Sequence, residues 1–235
     1  SMPAPSDKSF TPKFETELAL EILEVPELRI SSASFTRIRD DQGRFALLVN
    51  KNRAEKGDIV LSPIGGALEA TPEGIDTLKS ILEIDNDAFQ KGNDLRFMMS
   101  GARANELRTW FLNRTQRESD PTREIVEELV EEAKLLDETD LEKLEASLAG
   151  YATMLAHTSR KGQEGKTTLR LLEIFDIQLP SATLEKLTKL AQDPDEVIKF
   201  VTEEEIMNEQ TDNGMQIAEI SQSLLKAKQT IPEFE

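Results

Sequence analysis

Residues 123 to 129 read Arg-Glu-Ile-Val-Glu-Glu-Leu. On an α-helix, Glu124, Glu127 and Glu128 fall at i, i+3 and i+4, so three carboxylates crowd onto one face. Like charges at that spacing repel one another and weaken an isolated helix. A divalent cation bound between them reverses the sign of that interaction, because hard cations such as Mg²⁺ take oxygen ligands. Arg123 is placed to orient one of the carboxylates through a forked hydrogen bond. Ile125 and Leu129, four positions apart, can anchor the helix to a core. The pattern therefore predicts a metal platform on a helix with one buried face. The alternative reading is a Glu-rich amphipathic helix whose acids form a solvated face.

A second stretch has the features of a partner to this helix. Residues 58 to 69 read Asp-Ile-Val-Leu-Ser-Pro-Ile-Gly-Gly-Ala-Leu-Glu, a short apolar strand running into Pro63, Gly65 and Gly66. Paired glycines after a strand mark a turn or bulge, and they let a backbone approach a ligand closely.

The elements that must carry these residues follow from turn and periodicity signals. Residues 18 to 23 read as a short helix or strand interrupted by Pro26. Residues 34 to 38 and 44 to 49 read as a β-hairpin about the turn Asp40-Asp41-Gln42-Gly43. A strand at 59 to 61 enters the glycine pair. Thr71 followed by Pro72 predicts a helix start, the helix running to Leu82. A strand over 94 to 99 and a short helix over 106 to 112, carrying Trp110 and Phe111, come next. Asp120 is a plausible cap for the Glu-rich helix. Further helices are expected over 141 to 148, 184 to 190 and 215 to 226. Strands are expected over 151 to 158, 167 to 179 and 197 to 201, with Thr202 capping Glu203 to Ile206. Strands and helices mix without strict alternation, which favours α+β, with helices packed over a mixed sheet. No internal repeat or coiled-coil run is present. One domain from about residue 16 to 230 is the simplest organisation, with 1–15 a mobile N-terminus that begins in an expression remnant, Ser1-Met2-Pro3.

Composition narrows the function classes. The 235 residues are enough to bury a substantial core, and 31% of them are charged. No apolar run approaches the ~20 residues that span a bilayer, so no membrane partner is expected. The N-terminus shows no signal-peptide pattern. With no cysteine, disulfides and thiolate catalysis are excluded, and a reducing cytoplasm fits. His157 is the one histidine, so a zinc site of the usual ligand set is not expected. The net charge of −17 argues against duplex nucleic acid as a partner. A small nucleotide remains compatible, because bound cations neutralise phosphates locally.

The strand, the glycine pair and the Arg-Glu-x-x-Glu-Glu helix together resemble the signature of Nudix hydrolases. In that signature the glycine lies close before Arg-Glu, whereas Arg123 follows Gly66 by 57 positions. An insertion, residues 71–117, thus splits the motif. The split form resembles the SMODS-associated Nudix branch, whose members occur beside nucleotide-second-messenger defence genes in bacteria. Asp94-Leu95-Arg96, Trp110-Phe111, Arg117-Glu118, Arg123-Glu124 and Glu127-Glu128-Leu129 carry the likeness, which continues through Phe200-Val201-Thr202, Gly214 and Ile217-Ala218. The chain departs from the pattern at Val130, where a glycine usually follows the Glu pair, and at Glu131, which adds a fourth carboxylate. Val130 would let the helix continue. The glutamate normally found between glycine and arginine has no counterpart at the usual spacing, and Glu118 is the substitute candidate. An ion pair from Glu118 to Arg114 or Arg117 is the competing role.

The resemblance implies a Nudix-like mixed sheet between helices and a nucleoside diphosphate linked to another moiety as substrate. It implies Mg²⁺ or Mn²⁺ held by Glu124, Glu127 and Glu128, with a Gly65 or Gly66 carbonyl completing the shell. Arg123 would orient Glu124 or Glu128. Glu118, Glu164 and Glu173 are open candidates for the base. Members often dimerise, which leaves a homodimer open. His157, the Trp110-Phe111 pair, and Lys161 with Lys166 carry weaker expectations of catalysis, base stacking and phosphate contact; for Trp110 and Phe111, core packing of the inserted helix is the stronger expectation. A catalytically weak sensor that binds a nucleotide and signals to a protein partner is the rival function.

Overall fold

A computed structural model describes residues 13–14, 22–54, 57–157 and 165–234. Its spine is β2 (Leu28–Ile38), whose eleven residues are nearly all buried, as a strand covered on both faces must be. β2 pairs in parallel along its whole length with β8 (Thr167–Gln178). On its other edge it pairs antiparallel with β5 (Gly65–Ala67) and β6 (Arg96–Met99). β7 (Glu145–His157) lies antiparallel to β8, and β1 (Lys13–Phe14) pairs with β7. A second sheet has the order β10-β4-β3-β9, formed by β3 (Phe45–Val49), β4 (Val60–Pro63), β9 (Ile198–Val201) and β10 (Gln216–Ile217). Both sheets mix parallel and antiparallel pairs, and helices complete the expected α+β architecture.

Period-2 alternation decides which residues form which core. Phe35, Leu172 and Ile174 of the first sheet pack with Phe45, Leu47, Leu61 and Val201 of the second. On the opposite face of β2, Leu28 and Ile30 join Leu78 of α1 (Pro72–Leu82) and Leu107 and Phe111 of α2 (Ala104–Asn113). Farther along that face, Ile38, Phe175 and Ile177 meet Ile125 and Leu129 of the acidic helix, together with Ala46, Leu48 and Ile64. The acidic helix is thus clamped on residues from both sheets. It begins as α3 (Thr122–Val126) and continues as a π-helical turn, Glu127–Glu132.

Three sequence expectations need correction. The turn at 40–43 forms, with Asp40 Oδ1 accepting from the Gln42 and Arg44 amides. The flanking strands share only the Arg39–Phe45 bridge and then part into different sheets, because β8, β5 and β6 already occupy the edges of β2. The helix expected over 141–148 is a 3₁₀ turn, Glu138–Leu141, followed by the start of β7 at Glu145. Pairing with β8, from Glu145 opposite Gln178, outweighs the weak local helix preference. The helix expected over 215–226 is likewise β10 and a 3₁₀ segment, Glu219–Leu225. Spacing of apolar residues by three or four suits a 3₁₀ helix as well as an α-helix over so short a span.

Other expectations hold. Thr71 caps α1, its hydroxyl accepting from the Gly74 amide at 3.0 Å, and Thr202 and Glu205 form a capping box on α5 (Glu203–Met207). α4 (Ser181–Leu190) covers the region expected at 184–190. Trp110 and Phe111 are buried core residues. The readings for 1–12, 15–21, Lys161 and Glu164 fall outside the described residues, as does the side chain of His157. No described helix is long and apolar enough to cross a membrane.

Leu129 is fully buried. Leu129→Ala should therefore destabilise the protein by about 3 kcal/mol, whereas the exposed Glu131→Ala should change stability by less than about 0.5 kcal/mol. Urea denaturation of the two variants checks both values.

Candidate active site

The glycine pair lets the acidic helix come close to the sheet. Gly65 has φ of +148° and sits opposite Phe35 on β2. A Cβ at Gly65 would stand 1.9 Å from the Ser34 carbonyl oxygen, so no other residue fits there. The Gly65 amide donates to Glu128 Oε2 at 2.9 Å. At Gly66 a Cβ would stand 2.3 Å from Glu124 Oε2. The second glycine therefore makes room for a carboxylate. Both acids converge from one helix face onto this bend.

Arg123 organises the remaining acids. Its Nε and Nη2 donate to the two oxygens of Glu118, each at 2.9 Å, forming a fork. Its Nη1 donates to Glu127 at 3.1 Å, and Nη2 lies 2.9 Å from Glu124 Oε1. Nη2 also donates to the Ala67 carbonyl at 3.2 Å, tying the helix to β5. Glu118 raises the proton affinity of the guanidinium well beyond the ordinary arginine range.

Glu118 reaches this position through an extended segment beside residues 69 to 71, just after β5. The Thr71 amide donates to Gln116, the Glu118 amide donates to Glu69, and the Glu69 amide donates to the Glu118 carboxylate at 2.7 Å. That segment is pinned from beneath by Glu173, which is fully buried. Arg117 Nη1 and Arg114 Nε reach separate oxygens of Glu173 at 2.8 and 2.7 Å. The same two arginines donate to the Glu118 and Ser119 carbonyls. A buried carboxylate on β8 thus fixes the backbone on which Glu118 stands.

The electrostatics follow from burial and crowding. Burial pushes the Glu128 carboxyl up to about 8, helped by Glu124, Glu132 and Glu127 and opposed by the Gly65 amide. Burial also pushes Glu124 up to about 6; Arg123 opposes that rise, and Glu127 and Glu118 add to it. Although Arg123 sits 2.9 Å from Glu124, its charge is shared among several acids, so desolvation and repulsion outweigh it.

Most of the residues singled out in the sequence are brought together. Glu118, Glu124 and Glu127 surround Arg123, and Glu128 meets Gly65 beside them. Of the two acids expected beside Arg123, Glu124 lies against it, whereas Glu128 takes its hydrogen bond from the glycine turn. Glu118 pairs with Arg123, whereas Arg114 and Arg117 bind Glu173. That wrapping removes Glu173 from the candidates for a general base. Glu131 is exposed. Sequence reasoning missed Glu69, whose carboxylate lies 3.8 Å from Arg123 Nη2. Its position three residues after Gly66 was the available signal.

The donor chemistry fits a hard divalent cation: oxygen ligands alone, two of them held above the ordinary carboxylate range by burial and by one another. Among the described residues, no group of three or more acids or histidines is already gathered in a metal-ligand arrangement. In this structure Glu124 and Glu127 are turned to Arg123, and Glu128 to the turn.

The family model described as the SMODS-associated NUDIX domain matches residues 27–225, spanning every described strand but β1, the glycine turn and the acidic helix. The chain belongs to this family. Comparison with curated proteins finds no match, and neither does comparison with solved structures. Membership assigns a Nudix-type hydrolase or a related function and implies a nucleotide-derived small-molecule ligand. Nudix domains generally use divalent metals such as Mg²⁺ or Mn²⁺. Within this SMODS-associated NUDIX domain, residues between the glycine turn and the acidic helix supply Glu118 to Arg123 and β6 to the main sheet.

Two outcomes follow from this geometry. Because the folded-state pKa of Glu128 is raised, its contribution to stability is full below about 4.5 and is lost as pH rises through about 8. The cation-free protein should lose on the order of a few kcal/mol across that window, and Glu128→Gln should flatten the slope in melting experiments. Glu173→Gln strands two guanidiniums and should cost about 3–5 kcal/mol, measured by urea denaturation at neutral pH.

Proposed function

We propose that this domain hydrolyses the diphosphate of a nucleoside diphosphate linked to another moiety, releasing a nucleoside monophosphate and a second phosphorylated fragment. The observation that carries the reading is the convergence of Glu124 and Glu128 on the Gly65-Gly66 bend, where burial and mutual repulsion hold both above the ordinary carboxylate range. Such a pair is stabilised by a cation in a way that an isolated surface acid is not. Glu124 and Glu128 would hold Mg²⁺ or Mn²⁺, with Glu127 and a carbonyl of Gly65 or Gly66 as further ligands. When bound, the ion supplies neutralisation of the diphosphate oxygens and lowers the pKa of a coordinated water.

The chain's own residues then have separable tasks. Arg123 acts on the acids and not on substrate: its fork to Glu118 fixes its plane, and its other edge limits how far Glu124 and Glu127 can swing. Glu128, poised at about 8, is able to hold a proton at neutral pH until a cation displaces it. Glu69 and Glu127 are the half-exposed carboxylates of the group and are open to water. A place in bacterial nucleotide-signalling defence is supported by the family's association with SMODS genes. A cytoplasmic setting accords with the absence of cysteine.

At pH 7.5 with Mg²⁺ or Mn²⁺, turnover of ADP-ribose or a dinucleoside diphosphate should fall on the order of 10³-fold in Glu128→Gln, while its melting temperature, measured without the ion, is equal to or above that of the parent. Full activity in the variant would remove the metal assignment. Cation-dependent binding without turnover across a broad diphosphate panel would favour the sensor function.

A further inference from the structure

We infer that the groove between α1 and α2 is the subsite for the uncharged, nucleoside half of the substrate; this rests on the hydrolase reading above and specifies which surface selects its ligand. The groove encloses about 590 Å³, within the range of small-molecule sites. Its lining includes three carboxamides, Asn105, Asn113 and Gln116, the hydroxyls of Thr109 and Thr115, and the indole of Trp110. No lysine or arginine lines it, and its one charged residue is acidic. A phosphate is therefore disfavoured there. Carboxamides and hydroxyls instead suit a ligand with paired donors and acceptors and no charge, as on a nucleobase edge or a ribose diol.

The groove is joined to the acid cluster by the chain itself. Residues 116 to 118 run extended beside 69 to 71, bridged at Ala70–Arg117. In an extended segment, alternate residues share a side and their Cα atoms lie about 7 Å apart. Arg117 turns inward to the buried Glu173, whereas Gln116 lines the groove and Glu118 receives the Arg123 fork. Gln116 accepts from Trp110 Nε1 at 2.8 Å, which ties the indole of the groove to the segment that leads to Glu118. A nucleoside seated there has its phosphate-bearing end directed along the segment that leads to Glu118. The insertion would thus add specificity beside the segment that carries Glu118.

Trp110 is the only tryptophan of the chain, so its emission reports on the groove directly. The experiment is a fluorescence titration of the full chain with adenosine, guanosine, cytidine and uridine, without metal and without phosphate. A saturable change with at least one nucleoside is expected, weakened at least 10-fold in both Thr109→Phe and Asn113→Leu. The side chains of Thr109 and Asn113 are exposed, so folded variants are expected, and circular dichroism checks them. No saturable change up to the solubility limit of all four nucleosides overturns the assignment. So does a change of equal affinity in both variants. Neither outcome depends on hydrolysis or on a cation, so the subsite and the hydrolase reading fail separately.

Discussion

Arg123 connects three pieces of chain that are distant in sequence: the extended segment bearing Glu118, the β5 strand through the Ala67 carbonyl, and the helix bearing Glu124 and Glu127. Without the shared guanidinium, the carboxylates gathered around it would repel one another across these pieces, most strongly at the more buried Glu124 and Glu118. A lysine in its place would carry the charge but not the planar fork that fixes Glu118 while leaving a second edge for Glu127. The guanidinium also leaves Glu128 out of its reach, and this acid consequently carries the largest share of uncompensated burial.

The rest of the architecture keeps that arrangement in register. Ile125 and Leu129 are fully buried among residues of both sheets, so the helix cannot move to relieve the crowding. At the bend, Gly65 fits against the Ser34 carbonyl and Gly66 leaves the space that the Glu124 carboxylate fills. Beneath, Glu173 grips Arg114 and Arg117, and through their contacts to backbone carbonyls it holds the Glu118 segment. The stability of the fold and the strain in the acid cluster are therefore opposed, as expected of a site prepared for a charged ligand.

Much of this was readable in the residues alone. Arg123 with Glu124, Glu127 and Glu128 announced the cluster by spacing, and Gly65-Gly66 announced a close approach, because both signals are local. Thr71-Pro72 and Thr202 likewise gave helix starts that depend on nearby atoms only. The misjudged elements depend on long-range pairing. Residues 145–148 form a strand because β8 lies beside them, and β3 leaves β2 because other strands occupy its edges. The π-helical turn at Glu127–Glu132 had only an indirect signal in Val130, and Glu173 looked like a candidate base because nothing in its neighbourhood names Arg114 or Arg117 as its partners.

The central claim is that Glu128 and Glu124 are held in proton-retaining surroundings that a divalent cation reverses. Carbon NMR titration of the glutamate carboxyl groups, with and without Mg²⁺, tests it most directly. The account predicts one glutamate, lost in Glu128→Gln, that titrates near 8 without the ion and shifts well downward when the ion is added. A Glu128 carboxyl that titrates in the ordinary glutamate range, indifferent to Mg²⁺, would contradict it.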